Sequence, residues 1–186
     1  MKKLVIPVLA LACLVIVAST TKRAANRDGF MNGSPEIKSM SAIAFGNDGV
    51  LFIGDSKSAS VFAIDTKDTE KLDKSPAVEV KKFDQKIAAA VGTTLENITI
   101  QDIAVNPVSK KIYCAVHMAD GTPVLLKVDG DKLTAVPMKD VSYSMTAITN
   151  APAEDAKDQR GRSLRVSSVS DISFADGKVM VTGLSN

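Results

Sequence analysis

A strand–turn–strand pattern recurs three times along this chain and limits its possible folds more than any other feature. The first copy is AIAFGNDGVLFIGD (residues 42–55) and the third is DISFADGKVMVTGLSN (residues 171–186). Each has an Asp-Gly pair between two apolar runs, which is a strong hairpin signal because Gly accepts a positive φ. The middle copy, DIAVNPVSKKIYCAVH (residues 102–117), has a longer turn. The pattern predicts an all-β protein built from repeated hairpins.

Further strand-like segments extend two of the three hairpins. Residues 61–64 continue the first unit, and AVEVKKF (residues 77–83) alternates as a fourth, outer strand would. In the second unit, PVLLKVD (123–129) and KLTAVPM (132–138) occupy the same places. The third unit stops after its hairpin. We therefore expect about two and a half four-stranded units, with an unpaired edge near residues 179–181 that invites association.

The spacing of the units requires two insertions. The first strands begin near Ile43, Ile103 and Ile172, and these intervals exceed the roughly 40–50 residues of a propeller blade. One insertion, residues 83–97, predicts a short helix with Asp84 as its N-cap and Gly92 just past its end. The other, residues 151–164, is polar and charged and predicts a loop with three arginines at or near it.

The segment NDGVLFIGDSKSASVFAID (residues 47–65) resembles the blade motif of NHL-repeat and gluconolactonase-like β-propellers, in which an acidic residue and a serine follow the second strand. Here that pair is Asp55-Ser56. Residues 86–107 are also similar to exported bacterial propeller-like proteins. The resemblance implies a partial β-propeller with one short inserted helix, occupying residues 40–186 and incomplete at its C-terminus, so we expect the chain to be the N-terminal portion of a longer protein.

The N-terminus predicts export. Lys2 and Lys3 precede an uncharged apolar run, residues 4–18, and small residues follow it. This run is shorter than the roughly 20 residues of a membrane-spanning helix. We expect a signal peptide at residues 1–18, a linker at 19–39, a secreted or periplasmic protein, and no stable membrane span after cleavage. An uncleaved anchor and a lipidated Cys13 are the alternatives.

Charge excludes one class of partner. The chain has 23 basic and 21 acidic residues, and loss of Lys2 and Lys3 with the signal peptide leaves 21 of each. A neutral chain of mixed sign offers no electrostatic attraction for nucleic acid. The expected partner is an unknown protein or a small-molecule ligand.

Few residues suit catalysis. His117 is the single histidine, and Cys114, which lies within the strand-like segment KIYCAVH between apolar residues, is expected to be a buried thiol. Neither a His/Cys metal-binding spacing nor a G-x-S-x-G motif occurs. A haem-binding C-x-x-C-H motif is also absent from the sequence.

Asp102 and Asp171 are the sharpest candidates for a metal site. They occupy equivalent positions at the first strands of the second and third units, whereas the first unit has Ala42 there. Carboxylates from successive blades converging on a channel could bind a hard cation such as Ca²⁺. The alternative is that each aspartate accepts backbone N–H groups where its strand begins.

Two functions follow from these residues. The first is an exported β-propeller-like binding or scaffold protein without a catalytic set of its own. The alternative, implied by the resemblance together with Asp102 and Asp171, is a metal-dependent hydrolase of the lactonase type with its site at the propeller channel.

Overall fold

The computed structural model describes residues 27–74 and 79–185, so the expected signal peptide and the first part of the expected linker lie outside the described residues. The described chain is mostly β-strand with one short α-helix, which confirms the all-β class. The strands are β1 (Met31–Gly33), β2 (Ala42–Phe45), β3 (Val50–Asp55), β4 (Ser60–Asp65), β5 (Ile98–Val105), β6 (Ile112–Met118), β7 (Pro123–Asp129), β8 (Lys132–Ala135), β9 (Val141–Ala147), β10 (Asp171–Ala175) and β11 (Lys178–Thr182), and the helix is α1 (Phe83–Ala90).

The strands form three antiparallel sheets. We call β1-β9-β4-β3-β2 the first sheet, β5-β6-β7-β8 the second sheet and β10-β11 the C-terminal hairpin. The repeated hairpins of the sequence are the pairs β2–β3, β5–β6 and β10–β11, in which Ile43 lies opposite Ile53, Ile103 opposite Cys114, and Ile172 opposite Val181. None of these sheets closes on itself within the described residues.

The two Asp-Gly turns form as predicted. Asp48 and Gly49 both have positive φ, 53° and 76°, and Asp176 and Gly177 repeat this with 51° and 75°. A short-chain Asp tolerates the left-handed region and Gly adopts it freely, so the chain reverses within a few residues. Both predicted hairpins, β2–β3 and β10–β11, therefore form.

The outer strand of the first sheet differs from the expectation. The structure has no strand at residues 79–83; residues 81–82 form a turn and Phe83 begins α1. The place beside β4 is taken instead by β9, which follows the second unit in the chain and pairs Met145 with Phe62. The sequence did not indicate this because strand pairing over such a distance leaves no local signal.

Part of the expected linker is also structured. Within residues 27–39, β1 pairs with β9, and the Lys38 backbone N–H donates to Asp55. Arg27 forms an ion pair with Asp65, with Nη2 and Oδ1 3.0 Å apart. The segment therefore belongs to the first sheet.

The helix follows the prediction at one end only. Gly92, with a φ of 74°, lies just past its C-terminus as expected. At the N-terminus, Lys82 occupies the cap position, and the side chain of Asp84, within the first turn, accepts a hydrogen bond from Gln85 N. Ile87 is fully buried and packs on the second sheet against Cys114 and Val116, so α1 covers the outer face of that sheet.

The sheets stack in the order C-terminal hairpin, first sheet, second sheet, helix. One core, which includes Leu51, Phe62 and Leu125, fills the space between the two large sheets. A smaller core, containing Ala42, Val169 and Ile172, lies between the first sheet and the hairpin. The three layers come closest to one another at β2, β5 and β10, the first strands of the three hairpins. Strand β2 lies beside both β5 and β10. The third unit therefore packs on the first unit.

Candidate functional site

Asp102 lies in β5 at a β-bulge, where the pairing register with β6 shifts between Ile100 and Asp102. Its Oδ1 atom accepts a hydrogen bond from Ile103 N at 2.7 Å, and its Oδ2 atom accepts one from Ile43 N at 2.8 Å. The second bond joins β5 of the second sheet to β2 of the first. Both carboxylate oxygens thus accept main-chain N–H groups, as the alternative interpretation expected.

Asp171 begins β10, on the other side of β2, and is exposed. Its Oδ1 atom accepts a hydrogen bond from Ile172 N at 2.8 Å. This local bond is the same as that between Asp102 Oδ1 and Ile103 N. In the described part of the chain, no group of three or more His, Cys, Asp or Glu side chains is arranged to hold a metal ion.

The acidic residue of the resemblance motif is part of the interior. Asp55 is fully buried at the end of β3. It accepts hydrogen bonds from Lys38 N at 2.7 Å, from Ser39 Oγ at 2.6 Å and from Ser58 N at 3.1 Å. Buried carboxylates are tolerated when hydrogen bonds replace their hydration. Asp55 therefore fixes the β3–β4 turn against the segment that leads into β2.

His117 also serves the fold. Its Nε2 atom accepts a hydrogen bond from Met40 N at 2.9 Å, which requires that this nitrogen carry no proton. Burial, together with the positive charge of Lys57, lowers the pKa of His117, and the carboxylate of Asp55 opposes that shift. The single histidine is thus held neutral as an acceptor between β6 and the start of the first sheet.

Cys114 is buried, as predicted. Burial raises the pKa of its thiol to about 11. A thiol of that pKa carries almost no thiolate at neutral pH, and the thiolate is the reactive form. Cys114 therefore acts as a packing residue between the second sheet and α1.

A buried polar cluster that the sequence did not indicate surrounds Asp68. Its Oδ2 atom accepts hydrogen bonds from Ser109 Oγ and Tyr113 Oη, both at 2.8 Å. Lys111 Nζ lies 3.9 Å from Oδ1. Burial and the neighbouring Asp68 carboxylate raise the pKa of Tyr113. The cluster ties the segment after β4, which supplies Asp68, to the β5–β6 turn and the start of β6, which supply Ser109, Lys111 and Tyr113.

A cleft opens between the first sheet and the C-terminal hairpin. It has a volume of about 320 Å³, within the range of small-ligand sites. Phe52, Val61 and Ala63 form its wall on the first sheet, and Val179 and Val181 form the wall on β11. The only side-chain polar atoms lining it are the hydroxyls of β9, at Ser144 and Thr146. We call this opening the β11 cleft.

The arginines at the charged insertion are largely engaged within the chain. Arg162 forms an ion pair with Asp158, with Nη2 and Oδ2 2.7 Å apart. Arg165 donates to the carbonyl oxygens of Lys57 and Pro152. These contacts order the loop and hold it against the β3–β4 turn.

Comparison with protein-family models, with curated proteins and with solved structures gives no match to this chain. Among the described residues, no helix has the length and apolar content needed to span a bilayer.

Proposed function

We propose that this chain is an exported, β-propeller-like binding protein that takes an apolar ligand in the β11 cleft. The observation that carries the proposal is the cleft itself, which is open to solvent and walled by apolar side chains of two different sheets. Sites of this kind bind through buried apolar area, with a few polar groups to orient the ligand. The hydroxyls of Ser144 and Thr146 are suited to that orienting role.

The radial arrangement is supported by how the sheets meet. They approach most closely at their first strands, with β2 between β5 and β10, as blades do around a propeller axis. The cleft opens farther from that axis, beside β11. Among the described residues, β11 pairs with β10 on one side and with no strand on the other. A ligand there would lie between two blades, away from the axis.

The arrangement of the polar side chains supports a binding function over a catalytic one. The polar groups that could act, Asp55, Asp102 and His117, each hold main-chain groups in place. The cleft lining contains no titratable side chain. A ligand bound there would therefore be held without being activated.

The experiment is a ligand screen by nuclear magnetic resonance with two variants of the same strand. Val181 lines the cleft, whereas Met180 lies on the opposite face of β11, and both are exposed. We expect medium-chain fatty acids, alcohols and short apolar peptides to include binders that are lost in Val181→Arg and kept in Met180→Arg. If no compound of these classes binds, or if both variants bind equally well, the proposal is wrong.

The alternative function, a metal-dependent hydrolase of the lactonase type, draws support from the placement of Asp102 and Asp171 on the two strands that flank β2. Calcium titration by calorimetry tests it on the wild-type chain and on Asp102→Ala and Asp171→Ala. Binding that both substitutions abolish would support a metal site at these strands. Binding that neither affects, or no binding, would exclude these residues as ligands.

A further inference from the structure

Two hydroxyl groups lie on the same side of the β11 cleft. Ser144 and Thr146 are two residues apart on β9, so their side chains are on the same face of the first sheet. Both residues line the cleft. Neither side chain makes a hydrogen bond or an ion pair with another described residue, so both hydroxyls are available to a ligand.

The register of the strands separates the apolar lining of the first sheet from these hydroxyls. Phe52 of β3 is paired with Ala63 of β4, and Ala63 is paired in turn with Ser144 of β9. In the next row, Val61 of β4 is paired with Thr146 of β9. Each row therefore runs from apolar side chains on the inner strands to a hydroxyl on β9.

Solvent reaches the cleft from the β9 side. At the inner end, the Phe52 ring stacks on the Phe174 ring of the hairpin, with centroids 5.6 Å apart. Exposure rises from there along the wall, because Ala63 is buried, Ser144 is half-buried and Thr146 is exposed. The hydroxyls therefore lie at the mouth of the cleft and the apolar side chains lie deeper.

We infer that the ligand of the β11 cleft is an uncharged amphiphile, a single apolar chain that ends in one hydroxyl or amide group. This inference rests on the proposed function, because it assigns the ligand of the same cleft. The apolar chain would lie against Phe52, Ala63 and the two valines of β11, with its polar end at Ser144 and Thr146. A hydroxyl both donates and accepts hydrogen bonds, so this pair can satisfy an alcohol or an amide.

The lining disfavours an anionic end group. None of the described residues that line the cleft is basic. Lys178 belongs to β11, but it is next to Val179, so its side chain points to the face of the hairpin opposite the cleft. A carboxylate at the mouth would lose part of its hydration with no cation to replace it. A fatty acid anion should therefore bind less tightly than the alcohol of the same chain length.

The test compares three ligands with the same eight-carbon chain: 1-octanol, octanamide and octanoate. Each is titrated into the full chain at neutral pH and followed by nuclear magnetic resonance. We expect dissociation constants for octanol and octanamide that are at least about tenfold lower than that for octanoate. Octanol binding should be lost in Val181→Arg and kept in Met180→Arg, which locates it in the cleft.

Removing the hydroxyls one at a time tests their role. We expect Ser144→Ala and Thr146→Val each to weaken octanol binding about fivefold. The matched controls are Ser142→Ala, two residues before Ser144 on β9, and Thr149→Val, because neither Ser142 nor Thr149 lines the cleft. Octanol binding that the cleft variants leave unchanged, or that the control variants weaken equally, would overturn the inference.

Adding a cation should reverse the preference. Thr146→Lys places an ammonium group at the mouth and should tighten octanoate binding at least about tenfold without tightening octanol binding. A loss of folding would not produce this gain, and Thr149→Lys controls for the added charge. Octanoate binding that Thr146→Lys does not tighten, or that Thr149→Lys tightens equally, would overturn the inference.

Failure of this inference is distinguishable from failure of the proposed function. If octanoate binds the wild-type cleft as tightly as octanol, the inference is wrong, and the cleft is still a site for apolar ligands. The same holds if none of the three ligands binds but a short apolar peptide does. If no ligand of any of these classes binds, both proposals are wrong.

Discussion

Asp102 bonds to Ile43 across the gap between the two large sheets, with Oδ2 of the carboxylate 2.8 Å from the backbone nitrogen. The same carboxylate accepts Ile103 N through Oδ1. Both carboxylate oxygens of this candidate ligand are thus engaged by main-chain N–H groups, and the Oδ2 bond holds β2 and β5 together.

We predict that Asp102→Ala destabilises the protein more than Asp171→Ala does. Asp102→Ala leaves two backbone N–H groups without their acceptor, whereas Asp171→Ala leaves one. We expect a loss of about 2–3 kcal/mol for Asp102→Ala and about 1 kcal/mol for Asp171→Ala, measured by urea denaturation. Asp102→Asn, which keeps an acceptor oxygen, should fall between Asp102→Ala and the wild type. Equal losses for the two alanine variants would contradict this role.

His117 should make the stability fall in mild acid. Folding lowers the pKa of His117, so below the unfolded value of about 6.5 the unfolded state binds a proton that the folded state resists. Neutral His117 makes its full contribution to the free energy of unfolding above that pH. This contribution is lost progressively as the pH falls from the unfolded pKa to the lower folded pKa of His117. Urea denaturation between about pH 7.5 and pH 5 measures this slope.

The control for His117 is His117→Gln, which can still accept from Met40 N but does not titrate. We expect its stability to vary less with pH than that of the wild type over the same range. A variant with the wild-type slope would show that another group is responsible.

Tyr113 should couple two distant segments through Asp68. Its hydroxyl donates to Asp68 Oδ2 in the interior, where Ser109 Oγ donates to the same atom. We predict that Tyr113→Phe costs about 1.5–3 kcal/mol, since the bond is to a buried carboxylate. Tyr143→Phe is the matched control because the Tyr143 ring also packs in the main core. A double-mutant cycle with Ser109→Ala should give a non-zero coupling energy, and additive losses would argue against a shared cluster.

The sequence predicted the parts of this fold that local chemistry determines. Asp48-Gly49 and Asp176-Gly177 specify their turns by backbone preference, and Gly92 ends the helix for the same reason. The burial of Cys114 followed from its apolar flanks. Each of these depends on neighbours within a few residues.

The parts that could not be predicted depend on contacts between distant segments. Strand β9 joins β4 although some eighty residues separate them, and alternation alone does not name a partner strand. The β11 cleft and the Asp68 cluster form only when separate elements meet. The sequence singled out Asp102 as a candidate, but its bond to Ile43 N depends on how the two large sheets stack.

The approach of β3 to the C-terminal hairpin depends on the absence of a side chain at Gly54. A Cβ atom there would overlap the Val169 side chain and lie 3.0 Å from Ile172 Cδ1. We predict that Gly54→Ala pushes the hairpin away from the first sheet and costs about 1–3 kcal/mol, as overpacking of a core does. Hydrogen exchange should show the loss as faster exchange of β10 and β11 amides, with the second sheet unaffected.

Gly92→Ala is the control for Gly54→Ala, since nothing lies within 4 Å of a Cβ atom there and the cost is that of a positive φ alone, about 1 kcal/mol. The faster hydrogen exchange caused by Gly92→Ala should not be confined to the β10 and β11 amides. Val169→Ala removes the methyl groups that the new Cβ of Gly54→Ala would overlap. The double substitution should therefore cost less than the sum of the two single ones. Additive costs, or hairpin amides that exchange as in the wild type, would show that the hairpin does not rest on this close approach.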